Sequence, residues 1–365
     1  MAHQPCRRRE GVDVVSVRAA LGACAWLSAI IVAPAIGATT PSSTTPPIRA
    51  EQPATRTPAF DVIALGTSGG IVEDDLTAYL IGRAGRGQYV LADAGTVVAG
   101  LRKAEAMGSL DDIPPSDRGS RAERALAERI GTILISHPHL DHVSGLVIAS
   151  PDDDKHFLFG LPSTIEVLKN DIFNNRTWVN FLNEGDRPLS KYLVTRMQPG
   201  SPLADARAGL KITAYPLSHA GILSTAFVLQ DRDDQTALYL GDTGPDSVEK
   251  QGMLANLWAH VAPSVRLGKL RVVIIEVSYP NGRADKLLFG HLTPDHLVAE
   301  LTALARASDA ARPDILRDVP VVISHVKPTV GDSTSARQKI ARELDAKNTL
   351  GVRFVHLRQG ERASF

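Results

Sequence analysis

The segment Ser136–Gly145, SHPHLDHVSG, constrains this chain more than any other stretch. It sets three histidines and one aspartate within the six positions 137–142, directly after an apolar run that ends at Ile135. In an extended stretch residues two apart point to the same side, so His137 and His139 can address one cation together. Asp141 and His142, carried around the turn where a helix should begin, would address a neighbouring cation. Neutral imidazoles and carboxylates are the ligand set for zinc, with iron and manganese as competitors. The bland alternative is a polar turn that happens to be rich in histidine. It leaves unexplained why so many polar groups stand beside a buried strand.

A catalytic metal keeps a coordination position open, and a two-metal site needs a bridging oxygen, so further ligands must come from elsewhere. His219 follows the apolar run Ile212–Leu217, Asp242 follows Ala237–Leu240, and His325 follows Val321–Ser324. A lone histidine at a strand end is ordinarily just hydrogen-bonded. Three ligand-type residues recurring after strands, in a chain that already carries 137–142, favour ligation.

Around these points short β-rich runs alternate with helical spacing. Strands are expected at Phe60–Leu65, Thr77–Ile81, Tyr89–Asp93, Thr132–Ser136, Lys211–Pro216, Ser224–Leu229, Thr236–Leu240, Arg271–Val277 and Val321–Ser324. Helices are expected at Val97–Met107, Arg121–Ile130, Val248–Val261, Pro294–Ala307 and Ser335–Leu344. That mixture predicts a layered α/β body spanning 59–365.

Residues 1–38 open with Arg7, Arg8 and Arg9, then pass into an apolar run from Ala19 to Ala38 that closes on small residues. This order predicts a secretory signal peptide and export, with the periplasm as destination. An uncleaved membrane anchor is the alternative, since the run is about as long as a bilayer-spanning helix needs; lipid attachment at Cys24 is a third reading. Residues 39–58, with five prolines and eight Ser or Thr in 39–58, predict a flexible tether. Both cysteines, Cys6 and Cys24, precede it, which excludes disulfides, thiolate ligands and cysteine nucleophiles from the body. Forty Lys plus Arg balance forty Asp plus Glu, so no basic field gathers polymeric nucleic acid or anionic membrane.

The pattern H-x-H-x-D-H after a strand, followed by His219, Asp242 and His325, resembles the metallo-β-lactamase fold. The stretches HPHLDHVSGLVIASP (137–151), GDTGPDS (241–247), EVSYPN (276–281), GHLTPDHL (290–297) and SHVKP (324–328) narrow the resemblance to the class II cyclic-nucleotide phosphodiesterases. IFNNRTWVNF (172–181) is a looser match. The resemblance implies an αββα four-layer sandwich. It also implies that His137, His139 and His219 hold one metal, that Asp141, His142 and His325 hold the other, and that Asp242 bridges them. Zinc is the expected metal. Asp93, in DAG, matches a carboxylate that supports the ligand loop. GTSGG (66–70) lacks the lysine of a phosphate-cradling loop and reads as a tight turn near the metals.

The activity so implied is hydrolysis of 3′,5′-cyclic nucleotides, cAMP with cGMP as a further candidate, to 5′-nucleotides. Two cations ~3.5 to 4 Å apart lower the pKa of a shared water and stabilise charge on phosphoryl oxygens. The leaving 3′ oxygen is a strong base, for which a positioned acid contributes ~10² to 10⁴ in rate. His291, just before a helix with Thr293 as N-cap and Pro294 at its first position, is the expected acid, with Glu276 orienting it and raising its pKa. Asp141 joins the catalytic set through its metal. An additional metal ligand or a structural residue is the other reading of His291. Phe173, Trp178 and Phe181 are candidate faces for a purine and Asn180 a candidate partner for its edge, although aromatics at such spacing more often form core. The expected partner is thus a small cyclic nucleotide, without polymeric nucleic acid or a membrane for the mature domain, in a chain that can form a homodimer. Competing readings are another hydrolase on the same scaffold (a tRNA 3′ processing nuclease, a lactonase or a β-lactamase) and a non-catalytic metal-binding relic.

Overall fold

A computed structural model of the chain describes residues 56–114, 119–328, 330 and 333–365. The expected signal peptide, both cysteines and nearly all of the expected tether lie outside the described residues. Among the described residues two seven-stranded sheets form. The first contains β1 (Phe60–Gly66), β2 (Ala78–Arg83), β3 (Tyr89–Ala92), β4 (Ile130–Leu134), β5 (His156–Gly160) and β6 (Tyr192–Arg196). These strands neighbour one another in sequence order, and β14 (Arg362–Ser364) pairs antiparallel on the outer side of β1. The second runs, also in sequence order, through β7 (Pro202–Asp205), β8 (Leu210–His219), β9 (Ile222–Gln230), β10 (Thr236–Leu240), β11 (Leu270–Glu276), β12 (Pro320–Ser324) and β13 (Arg353–Val355).

Each sheet begins antiparallel and ends parallel: β3 to β6 in the first, β10 to β13 in the second. Parallel neighbours need crossover connections, which are helical here. They are α1 (Val98–Ala106), α2 (Arg121–Arg124), α3 (Leu140–Ala149) and α4 (Pro162–Val167) for the first sheet. For the second they are α5 (Asp246–Glu249), α6 (Met253–Arg266), α7 (Pro294–Ser308) and α8 (Ser333–Lys347).

Strand β1 shows why the result is four-layered. Its alternate residues Phe60, Val62 and Ala64 pack with Ile212, Phe227, Tyr239 and Ile274 of the second sheet. Ile63 and Leu65 point the other way, onto Leu101 of α1 and Val143 and Leu146 of α3. Outside the second sheet, Leu238, Val273 and Ile275 meet Leu257, Trp258, Leu301 and Ile340 of α6, α7 and α8. Strands buried on both faces read as near-continuous apolar runs, as β10 does. The architecture is the expected αββα sandwich. No helix among the described residues is long and apolar enough to cross a membrane.

Two expected helices are corrected. The span 248–261 is broken because Lys250 and Gly252 adopt left-handed backbone (φ 59° and 65°), and the Asp246 carboxylate accepts from the N–H groups of Leu254 and Ala255 to start α6 afresh. The span 121–130 keeps regular helix only to Arg124, widens over Ala125–Arg129, and Ile130 already begins β4.

Candidate metal centre

The site forms at the carboxyl ends of the parallel strands, where open α/β sheets place their ligands. His137 and His139 follow β4, and His139 (φ −63°, ψ 147°) is the last extended residue before α3, which carries Asp141 and His142 in its first turn. From the second sheet, β8 ends on His219, Asp242 stands two residues past β10, and His325 stands one residue past β12. Both His325 and Asp93 have a φ of 52°. Left-handed backbone in a residue with a side chain costs ~1–3 kcal/mol and persists only where its surroundings hold it. Gly69 lies under His325, and a Cβ there would sit 2.4 Å from its imidazole. The next residue, Gly70, donates its N–H to Asp141 Oδ2 at 3.1 Å. The GTSGG segment is thus a close turn against the site.

The structure brings all seven expected ligands together in overlapping groups: His137, His139 and His219; His137, His142 and Asp242; Asp141, His142 and His325. Asp242 is central. Its Oδ1 is 3.3 Å from His142 Nε2, while its Oδ2 is 3.3 Å from His325 Nε2 and 3.9 Å from both His137 Nε2 and His219 Nε2. On one flank His139 Nδ1 is 3.3 Å from His219 Nε2, and on the other His325 Nε2 is 3.3 Å from Asp141 Oδ2.

In four of these histidines the remote ring nitrogen is already engaged. His137 Nδ1 meets Ser136 Oγ (3.0 Å), His142 Nδ1 meets Asp93 Oδ2 (2.7 Å), His219 Nδ1 donates to the Gly290 carbonyl (2.8 Å), and His325 Nδ1 meets Ser278 Oγ (3.1 Å). Such contacts fix ring orientation and leave Nε2 free for a cation. His137 Nε2, His142 Nε2 and Asp242 Oδ2 are fully buried without a hydrogen-bond partner, which costs free energy unless something positive stands between them. Burial would lower the His142 pKa, but the Asp242 and Asp93 carboxylates raise it well above the ordinary value. Burial would raise that of Asp242, but His325 and His142 hold it well down. The donor set demands positive charge at its centre and fits divalent cations.

Asp93 is fully buried. Its Oδ1 accepts from Ser136 N (2.7 Å), and its Oδ2 faces Ser136 Oγ (2.7 Å), His142 Nδ1 (2.7 Å) and Tyr239 Oη (2.6 Å). It therefore ties the 136–142 segment to the second sheet.

His291 is buried beside this cluster, its Nδ1 2.8 Å from Glu276 Oε1 and 3.7 Å from Asp242 Oδ2. Burial, outweighing the pull of Asp242, takes the imidazole down to about 4, and burial together with Asp242 takes Glu276 up to about 7. The expected upward shift of His291 by Glu276 is thus corrected: desolvation wins. Thr293 does precede α7, with Pro294 at its first position, but its hydroxyl contacts His296 Nδ1 (2.9 Å) and makes no cap bond.

Four expected base contacts do not join the cluster. Phe173 and Phe181 are buried in the first outer core, and Trp178 packs against it with its indole N–H on Ser150 Oγ. Asn180 spends its amide on the carbonyls of Glu184 and Asp186 and its oxygen on Leu182 N. Sequence reasoning missed Tyr239, Ser278 and Lys327, whose Nζ is 3.8 Å from Asp141 Oδ2. For Lys327 the signal was its place in SHVKP, two residues after His325.

Fold and site together define a metal-dependent protein of the metallo-β-lactamase fold. Among solved structures, the metallo-β-lactamase fold protein YhfI from Bacillus subtilis superposes with a TM-score of 0.55 at 15% identity, covering 85% of this chain and all of that one. Unliganded yeast PDE1 superposes with a TM-score of 0.71 at 22% identity, again over 85% of this chain and all of that one. Residues 62–360 match the class-II cAMP phosphodiesterase family. A 3′,5′-cyclic-nucleotide phosphodiesterase of Aliivibrio fischeri is 42% identical over 312 residues, 84% of this chain and 93% of that protein. The chain belongs to the class-II cAMP phosphodiesterases.

Proposed function

We propose that this protein hydrolyses 3′,5′-cyclic nucleotides, cAMP and also cGMP, to 5′-nucleotides. The observation that carries the reading is the convergence of seven ligand-type side chains beside the His291–Glu276 pair, in a chain of this family. We assign one cation to His137, His139 and His219, the other to Asp141, His142 and His325, and Asp242 to both. These residues would hold two divalent cations, zinc on this imidazole-rich donor set, which when bound would supply water activation and neutralise charge on the phosphoryl oxygens.

The rest belongs to the chain's own residues. With five neutral histidines and the Asp141 and Asp242 carboxylates, the loaded site carries net positive charge, and the Lys327 ammonium adds to it. A singly charged cyclic diester is drawn in and oriented. Between them, His291 and Glu276 share one proton in addition to the imidazole's own N–H at Nε2. Whether it rests on Glu276 Oε1 or on His291 Nδ1, the imidazole keeps an N–H at Nε2. That N–H is donated to the leaving 3′ oxygen, and the shared proton then settles on Nδ1, leaving a neutral imidazole that donates to the Glu276 carboxylate, so that the negative charge rests on Glu276 and no imidazolate forms.

Incubation of metal-loaded protein with cAMP, with and without chelator, tests the reading. Chelator-sensitive 5′-AMP is expected; 3′-AMP contradicts the leaving group, and turnover of a lactone with no action on any cyclic nucleotide favours another hydrolase of this fold. We also propose that the protein is exported and its leader removed, supported by the charge and apolar order of residues 1–38. Fractionation and N-terminal sequencing of the mature protein check this: an N-terminus before Ala19 counts against it.

A further inference from the structure

The cyclic-nucleotide reading leaves the base without an assigned partner, since Phe173 and Phe181 are buried in the core and Trp178 packs against it with its indole N–H on Ser150 Oγ. Near His291 and His219 the surface changes character. Phe289, two residues before His291, is 57% exposed, and Ile222 and Leu223, on the hairpin that follows His219, are 40% and 41% exposed. The two segments touch: Gly290 accepts from His219 Nδ1, and a Cβ on Gly290 would sit 2.5 Å from the Ala220 nitrogen.

Phe289 is held out from the body. Arg283 stacks on Tyr279 with Cζ 3.9 Å from that ring's centre and donates from Nε to the Leu287 carbonyl at 2.6 Å, which fixes the 283–287 turn. The same guanidinium is 6.0 Å from the Phe289 ring centre, and Tyr279 packs edge-on against His291 at 5.8 Å. Phe289 also has left-handed backbone, φ 53°, a conformation that disfavours a bulky side chain and suits glycine. An aromatic ring kept exposed on strained backbone, beside the proton donor, has the chemistry of a stacking surface.

We propose that Phe289 is the face on which the nucleobase stacks, with Ile222, the residue directly opposite His219 in the β8–β9 pairing, adding an apolar rim and Arg283 acting as the residue that positions the ring. The proposal rests on the cyclic-nucleotide reading and adds to it the group that tells a nucleotide from a bare cyclic phosphate. Purine substrates, with the larger aromatic face, gain most.

The test compares kcat/KM for cAMP with kcat/KM for the abasic diester 1-deoxyribose 3′,5′-cyclic phosphate, in wild type, Phe289→Ala and Phe289→Trp, with metal content measured in each. Base–aromatic stacking of ordinary strength predicts that Phe289→Ala lowers the cAMP-to-abasic ratio by roughly 5- to 150-fold, mainly through KM for cAMP. Phe289→Trp keeps the ratio within a few-fold of wild type. A ratio unchanged by Phe289→Ala, or both substrates falling in parallel, overturns the proposal. If the wild type cleaves neither diester, the phosphodiesterase reading itself fails and takes the platform with it; cAMP turnover with an undiminished ratio in Phe289→Ala sinks the platform alone.

Discussion

Asp93→Asn is the most discriminating perturbation of the metal centre, because it keeps shape while removing charge. In the wild type this carboxylate meets one donor at Oδ1 and three groups at Oδ2, all between 2.6 and 2.7 Å and all out of water. An asparagine can turn its oxygen toward Ser136 Oγ, His142 and Tyr239. Its NH₂ then confronts the Ser136 N–H, a donor facing a donor. The opposite rotamer sets the NH₂ against three groups and is worse. At least one charge-assisted bond is lost, worth about 1.5–3 kcal/mol of folding stability, with no solvent screening to discount it. The larger effect falls on His142, whose ring loses the anion that fixed it and raised its basicity. Removal of such a supporting partner typically weakens metal affinity 10- to 100-fold. Competition titration against a chelator of known affinity reads this directly, without reference to turnover. The metal we assign to Asp141, His142 and His325 should weaken by that factor and the other less. Two binding steps within twofold of wild type, in a folded Asp93→Asn protein, would refute the view that Asp93 sets the ligand geometry.

His291→Ala should lower kcat by ~10² to 10⁴ with two metals retained by elemental analysis; loss of metal together with activity makes it a ligand instead. Gly69→Ala drives a methyl to within 2.4 Å of the His325 ring, so metal content should fall while the thermal unfolding midpoint of the chelator-treated protein stays near that of wild type; normal metal uptake contradicts the close approach. Tyr239→Phe removes a buried donor from the Asp93 carboxylate, and urea unfolding should show a loss of about 1.5–3 kcal/mol. An unchanged midpoint means that this hydrogen bond contributes nothing.

The cluster of ligand-type side chains was legible because their chemistry is dense and they follow strands whose apolar runs are unmistakable. The ends of β10 and α7 were read almost to the residue. Harder were the short strands β5, β6 and β7, where His156, Tyr192 and Pro202 open runs too brief or too polar to show a period. The break at Lys250–Gly252 depends on Asp246 reaching forward to α6, a contact that propensity does not report. Ser278 and Tyr239 were invisible for a similar reason. Each is an ordinary residue until the fold sets its hydroxyl against His325 or Asp93. The aromatics at 173–181 were read as candidate base faces with core as the commoner role, and composition cannot distinguish a face that packs inward, as Phe173 and Phe181 do, from one that waits for a ligand.

The ligand set is divided between two bodies of chain. His137, His139, Asp141 and His142 ride on the first sheet, and His219, Asp242 and His325 on the second. Slippage of one sheet across the other by about an ångström would spoil both proposed cation sites at once, since ligand bonds tolerate only a few tenths of an ångström. Metal occupancy is therefore a gauge of sheet alignment. A substitution deep between the layers, at the Tyr79–Tyr239 contact with ring centres 6.1 Å apart, can silence the enzyme without altering a single ligand.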